Sequence, residues 1–177
     1  GKDKQLDLEK GEIGLHSTPT VVNDTIIVGS SMFEGLGYRY ATNAKGLVRA
    51  FDVKTGRKLW QRDFATGPLA EIHKTNSQAS TTPAADDQRV YFYFSTLGLI
   101  TVDAATGRDA WRYEMPTPFF VFKWGPGMSP VIHRDLVIMC QDDDLNPAIY
   151  ALDKTTGKLR WRDDRFDMAV NYSHPVV

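Results

Sequence analysis

The chain has 177 residues, 42% of them hydrophobic and 24% charged, enough apolar material for a sizeable core and too much for a disordered segment. Its 21 basic and 22 acidic residues give a formal charge of −1, which excludes a global field drawing it onto nucleic acid or an anionic membrane. No apolar run approaches the roughly 18 residues needed to span a bilayer as a helix, so no transmembrane segment is expected.

In chain order, residues 1–12 read as a linker or the end of a preceding unit, and residues 13–177 as a run of repeats. The first unit follows Pro19 with the β-rich run "TVVNDTIIVGSS", then "GLVRAFD", then "AFDVKTGRKLW". The second follows Pro83 with "RVYFYFS", "LGLITVD" and "TVDAATGRDAW"; the third follows Pro130 with "VIHRDLVIMC", "AIYALD" and "ALDKTTGKLRW". Pro175 opens what reads as another unit, starting at 171. Each unit predicts four short strands, with turns at Asn23-Asp24, Asp86-Asp87 and Arg134-Asp135. Helical periodicity is absent.

One motif, Asp-x-x-Thr-Gly-x-x-x-Trp, recurs in all three units, at Asp52, Gly56 and Trp60, at Asp103, Gly107 and Trp111, and at Asp153, Gly157 and Trp161. The aspartates are 103 − 52 = 51 and 153 − 103 = 50 residues apart, and the units end near 64, 115 and 164. Asp and Thr side chains can cap a turn and Gly can take positive φ, so the motif predicts a tight bulged hairpin between third and fourth strands. The Trp on the outer strand is expected to fill the gap to a neighbouring sheet while its indole N–H finds a carbonyl. Four-stranded units of about 40–50 residues with a recurrent aromatic predict an all-β fold, a β-propeller of four-stranded antiparallel blades.

These motifs resemble the pyrroloquinoline-quinone-type repeat of quinoprotein dehydrogenase-like propellers, in which "TPVV" leads through "VYVGS" to "YALDAKTGKLLW". The resemblance covers nearly all of residues 13–177. It implies an incomplete arc of three to four blades from a ring of seven or eight, completed by the remaining blades of a longer chain or by assembly. It also implies an extracytoplasmic, periplasmic setting.

Chain direction sorts the loops. All three hairpin motifs share one face and are expected to be structural. The opposite mouth collects the links "GEIGLHS", "AEIHKTNSQAS", "FVFKWGPGMS" and "DMAVNYSH", and the loop "QDDDLNP". There His16, Lys74, Asn76, Lys123, Trp124, Asn171 and His174 are expected to converge as a ligand-binding mouth. The histidines are too scattered for metal-ligand spacing and read as hydrogen-bonded loop residues rather than ligands. Lys74 and Lys123 suit an anionic group or plain solvation, and Trp124 suits a stacking floor or packing beneath its loop. Asp142, Asp143 and Asp144 offer oxygen ligands but not a calcium-loop spacing, and read as a solvated acidic loop. Cys140, the single cysteine, reads as a buried strand thiol.

Two functions follow. In the first the propeller is a rigid, non-catalytic scaffold binding a protein partner or small ligand at the channel mouth; similar folds scaffold outer-membrane protein assembly. In the alternative it is a piece of a dehydrogenase of alcohols or sugars, for which the resemblance implies pyrroloquinoline quinone with calcium. No catalytic base is marked by a motif, and the paired cysteines of many such enzymes are not present. Nucleic-acid binding has no support, because Lys and Arg are dispersed among acids.

Overall fold

The computed structural model describes residues 12–13, 18–34, 43–65, 72–73, 76, 80–167, 171–172 and 175–176. Among them there are three antiparallel sheets and no helix. The first holds β1 (Glu12–Ile13), β2 (Thr20–Val22), β3 (Thr25–Glu34), β4 (Asn43–Asp52) and β5 (Lys58–Ala65). It has one strand beyond the four expected, because β1 and β2 pair successive parts of the same edge of β3. The second is a meander of β6 (Ala84–Ala85), β7 (Arg89–Phe94), β8 (Gly98–Asp103) and β9 (Asp109–Tyr113). The third repeats it with β10 (Val131–His133), β11 (Leu136–Gln141), β12 (Ala148–Asp153) and β13 (Leu159–Asp164).

The turns between the first two strands of each sheet follow the sequence with one shift. Asn23 and Asp24 take φ of 46° and 56°, and Arg134 takes 55°, the left-handed values a two-residue hairpin needs. In the second sheet the bend centres one residue later than expected, on Asp87 and Gln88. There Asp86 Oδ1 accepts from the backbone N–H of Gln88 and of Arg89, at 3.0 and 2.9 Å, so Asp86 caps the turn from outside it.

The recurrent motif builds the same hairpin three times. Asp52 Oδ1 accepts from Thr55 N–H and hydroxyl, both at 2.7 Å; Asp103 does so with Thr106 at 2.8 and 2.7 Å, and Asp153 with Thr156 at 2.8 and 2.9 Å. Gly56, Gly107 and Gly157 have φ of 68°, 69° and 71°. The register slips at the Ala50/Phe51, Thr101/Val102 and Ala151/Leu152 pairs. That bulge turns the residue two after the Gly to one face of the sheet and the Trp to the other.

The threonine bonds hold the Asp52 and Asp103 carboxyls below the usual carboxylate range, and the Arg160 guanidinium does so first for Asp153. A depressed carboxyl lends stability that is present above its unfolded pKa of about 3.9 and lost as pH falls through the lower folded value. Asp103→Asn is therefore expected to make the loss of Tm below about pH 4 shallower than in the parent, as read by melts across pH 2 to 6. An unchanged acid slope would remove these caps from the account.

Two apolar layers lie between the sheets. Ile27, Val48, Ala50, Trp60 and Phe64 of the first meet Val90, Phe92, Phe94, Ile100 and Val102 of the second. Tyr91, Tyr93 and Leu99, from the other face of the second, meet Val137, Met139, Tyr150 and Leu152 of the third. This explains the continuous run "VYFYF": a central blade is apolar on both faces, so strict alternation of polar and apolar residues disappears. Cys140 is buried on β11, as expected.

The tryptophans pin these layers. Trp60 Nε1 donates to Ala104 O at 2.9 Å and Trp111 Nε1 to Lys154 O at 3.0 Å, in each case the residue after the motif Asp of the next sheet. Nearer the channel, the residue before each motif Pro continues the relation. Thr18 N–H donates to Thr82 Oγ1 at 3.1 Å, and Thr82 N–H to Ser129 Oγ at 2.9 Å.

Candidate functional site

The meander puts the motif hairpins at one end and the inter-sheet links at the other. At the link end, the segment joining β9 to β10 (residues 114–130) lies beside Ile72, His73, Asn76 and Ser80 of the preceding link and the loop between β11 and β12. Asn76 Nδ2 donates to Trp124 O at 2.6 Å and Pro126 O at 3.1 Å, and Ser80 Oγ donates to Pro126 O at 2.6 Å. His73 N–H donates to Lys123 O, and the His73 ring packs against Trp124 at 4.5 Å between centroids. Lys123 sits at φ 57° and Gly125 at 79°, so the link here is a kinked loop.

The loop ends in a turn closed by Lys123 N–H donating to Phe120 O at 2.8 Å, with Val121 and Phe122 at its corners. Corner positions ordinarily hold Gly, Pro, Asn, Asp or Ser. Here Phe122 is 76% exposed, and Phe119, Val121 and Trp124 are exposed beside it. Leu145 of the neighbouring loop is exposed as well. The two loops are tied by Asp144, whose N–H donates to Phe119 O at 2.9 Å and whose Oδ2 accepts from Val121 N–H at 2.8 Å. Beneath this tip lies a cavity of about 230 Å³ lined by Ile72, Pro118, Phe119, Phe120, Lys123 and Gly125, among others.

The acidic run departs from the expectation of a solvated loop. Asp142 and Asp143 are only 1% and 2% exposed. Asp143 is buried because its oxygens are fully employed: Oδ1 accepts from Leu145 N–H and Asn146 N–H at 2.7 and 2.6 Å, and Oδ2 from Gln141 Nε2 at 3.1 Å. Gln141 also donates to Pro116 O at 3.0 Å and accepts from the Tyr93 hydroxyl at 2.9 Å. Burial pushes the Tyr93 phenol far above its usual pKa, so it stays a donor. Asp142 pairs with Arg165 at 3.2 Å, yet burial outweighs the guanidinium and raises its carboxyl. Gln141→Ala removes a buried group with three partners, and is expected to cost about 2–4 kcal/mol in urea unfolding; a cost below about 1 kcal/mol would mean water replaces the amide without loss.

Of the residues expected at the mouth, Asn76, Lys123 and Trp124 lie together in this cluster. Asn171 adjoins it: its N–H donates to Asp142 O at 3.4 Å, and the next residue, Tyr172, stacks on Phe120 at 5.7 Å. His16, Lys74 and His174 lie outside the described residues. The Asn76 amide holds the loop backbone, and one side of the Trp124 ring is taken by His73. The apolar tip of Phe119, Val121, Phe122 and Leu145 was not singled out in the sequence, although "FVFKWGPGMS" was placed among the links at the mouth. The proline bracketing of that run was the available signal.

Among the described residues no group of three His, Cys, Asp or Glu is placed to hold a metal ion. Protein donors engage Asp143 and Asp144 and the Oδ2 of Asp142, while Asp142 Oδ1 is buried without a hydrogen-bond partner.

A family model described as "Outer membrane protein assembly factor BamB" matches residues 8–121. The quinone-dependent quinate/shikimate dehydrogenase of Acinetobacter baylyi is 27% identical over 152 residues, which is 82% of this chain and 15% of that protein. BamB of Moranella endobia is 26% identical over 122 residues, 69% of this chain and 29% of that protein. Among solved structures, quinohemoprotein alcohol dehydrogenase from Comamonas testosteroni superposes with a TM-score of 0.56 at 21% identity, over 89% of this chain and 22% of the other. That likeness gives the β-propeller fold. The chain thus spans less than a third of each of these proteins.

Proposed function

The chain belongs to the PQQ-like repeat family of outer membrane protein assembly factor BamB, and from that membership together with the rim geometry we propose that it serves as a non-catalytic, extracytoplasmic protein-binding scaffold. The observation carrying this reading is the rigid apolar tip at the link end. Phe119, Val121, Phe122 and Leu145 are exposed while Asp144, Asn76 and Ser80 fix the backbone under them. Aromatic side chains held in place lose little entropy on docking, which is why such residues dominate binding energy at protein interfaces. The outer-membrane assembly role in the family's description supports a periplasmic setting.

The second reading, part of a pyrroloquinoline-quinone-dependent dehydrogenase, draws on the identity with the quinate/shikimate enzyme. One experiment separates them. The full-length protein carrying a photo-cross-linker at Phe122 or Leu145 is expected to trap a protein in the periplasm, with far weaker trapping from exposed Lys158 on the opposite end. The same protein supplied with the quinone and calcium is expected to show no dye-linked oxidation of alcohols or sugars. Turnover in that assay, or equal trapping from both ends, overturns the scaffold reading.

A further inference from the structure

The cavity beneath the apolar tip lies where the second and third sheets meet, so both of its sides belong to this chain. Its volume is about 230 Å³. An apolar cavity of about 150 Å³ already holds benzene, whereas pockets for drug-sized ligands begin near 300 Å³. A single aromatic side chain falls between those bounds.

Ile72, Pro118, Phe119, Phe120 and Pro126 supply the apolar lining. Phe120 and Pro126 are buried while Phe119 is 53% exposed, so the lining runs from solvent to the interior. These walls are fixed before anything enters. Asn76 and Ser80 hold the Pro126 carbonyl, Asp144 N–H holds that of Phe119, and Tyr172 stacks on Phe120. Ile72 packs so closely on the loop that a Cβ built on Gly125 would lie 2.6 Å from its Cγ2. A preformed site loses little entropy on binding.

Charge narrows the choice of occupant. Among the described residues of the lining, Lys123 is the one that carries charge, and it is exposed. An aromatic ring turns a negative face toward a cation. A lysine or arginine side chain would instead meet like charge and lose its hydration in an apolar slot.

We infer that this cavity takes one uncharged aromatic side chain, Tyr, Trp or Phe, from the protein that docks on the tip. The inference rests on the protein-binding reading above and adds the chemistry of the partner. An aromatic anchor seated in a rigid pocket, with apolar contacts excluding water around it, is the usual form of a binding hot spot. Here Val121, Phe122 and Leu145 are placed to supply that surround.

Indole and p-cresol stand in for the side chain, with n-butylamine as the cationic control. Followed through the Ile72 methyl resonances of the full-length protein, the two aromatics are expected to bind with Kd of roughly 0.1–5 mM. The amine is expected to bind at least about 10-fold more weakly. Phe119→Ala is expected to weaken aromatic binding about 5-fold or more, and Leu145→Ala, outside the cavity, to leave it unchanged. Both positions are exposed, and circular dichroism checks the fold. In periplasmic extract, saturating indole is expected to reduce trapping from the cross-linker at Phe122 about 5-fold. Aromatics that bind no better than the amine, binding indifferent to Phe119→Ala, or trapping that indole leaves unchanged each overturn the inference while the scaffold reading stands. Trapping from Phe122 no stronger than from Lys158, with no indole present, is instead the failure of the scaffold reading, and this inference falls with it.

Discussion

Trp60→Ala is expected to lower the unfolding free energy by about 3–5 kcal/mol, while Trp161→Ala, measured in dilute solution, is expected to cost about 1 kcal/mol or less. The side chains are the same and stand at the same place in their hairpins. Trp60 is 9% exposed, packed in the layer with Val90, Phe92 and Ile100, with its indole N–H on Ala104 O. Truncation there leaves a cavity between two sheets and strips a partner from a buried carbonyl. Trp161 keeps much of its ring in solvent. Against a total stability of about 5–15 kcal/mol for a domain, the first change is large and the second near the noise. Urea unfolding monitored by far-ultraviolet circular dichroism reads both. Equal costs at the two sites would mean that the tryptophans stabilise their own hairpins, and that the sheets are not held by them.

How far the sequence revealed this arrangement depends on the range of the interactions involved. The Asp-x-x-Thr-Gly hairpins were legible because their partners sit within five residues of one another, so Asp103, Thr106 and Gly107 carry their own geometry. The docking of Trp60 and Trp111 was legible because the repeat places identical surfaces side by side. The extra strand β1 was not, since two residues carry no period. The burial of Asp142 and Asp143 was hidden for another reason. Runs of carboxylates normally stay in water, and here the compensation comes from Arg165, twenty-odd positions on, and from a glutamine anchored by Tyr93 in a different sheet. At the mouth, sequence placed Asn76, Lys123 and Trp124 at one end but not their division of labour. The amide of Asn76 faces two loop carbonyls, while the outermost group is Phe122, at a turn corner where apolar residues are rarely expected.

Gly107→Ala and Gly157→Ala are expected to cost about 2–5 kcal/mol, against about 1–2 kcal/mol for Gly56→Ala. All three glycines hold φ near +70°, so each alanine carries the same left-handed backbone strain, about 1–2 kcal/mol. Their surroundings differ. At Gly107 the new methyl meets the Trp60 ring and the Arg62 side chain, and at Gly157 it meets Trp111 from three ring atoms within 3 Å. At Gly56 it meets nothing. The ring must retreat from the methyl, lengthening the indole bond to the carbonyl and opening the layer beneath, an overpacking cost of about 1–3 kcal/mol. Subtracting the Gly56 value from the other two therefore isolates the contact between sheets from the strain of the turn. Three equal costs would show that the glycine is fixed by φ alone and that the ring resting on it adds nothing.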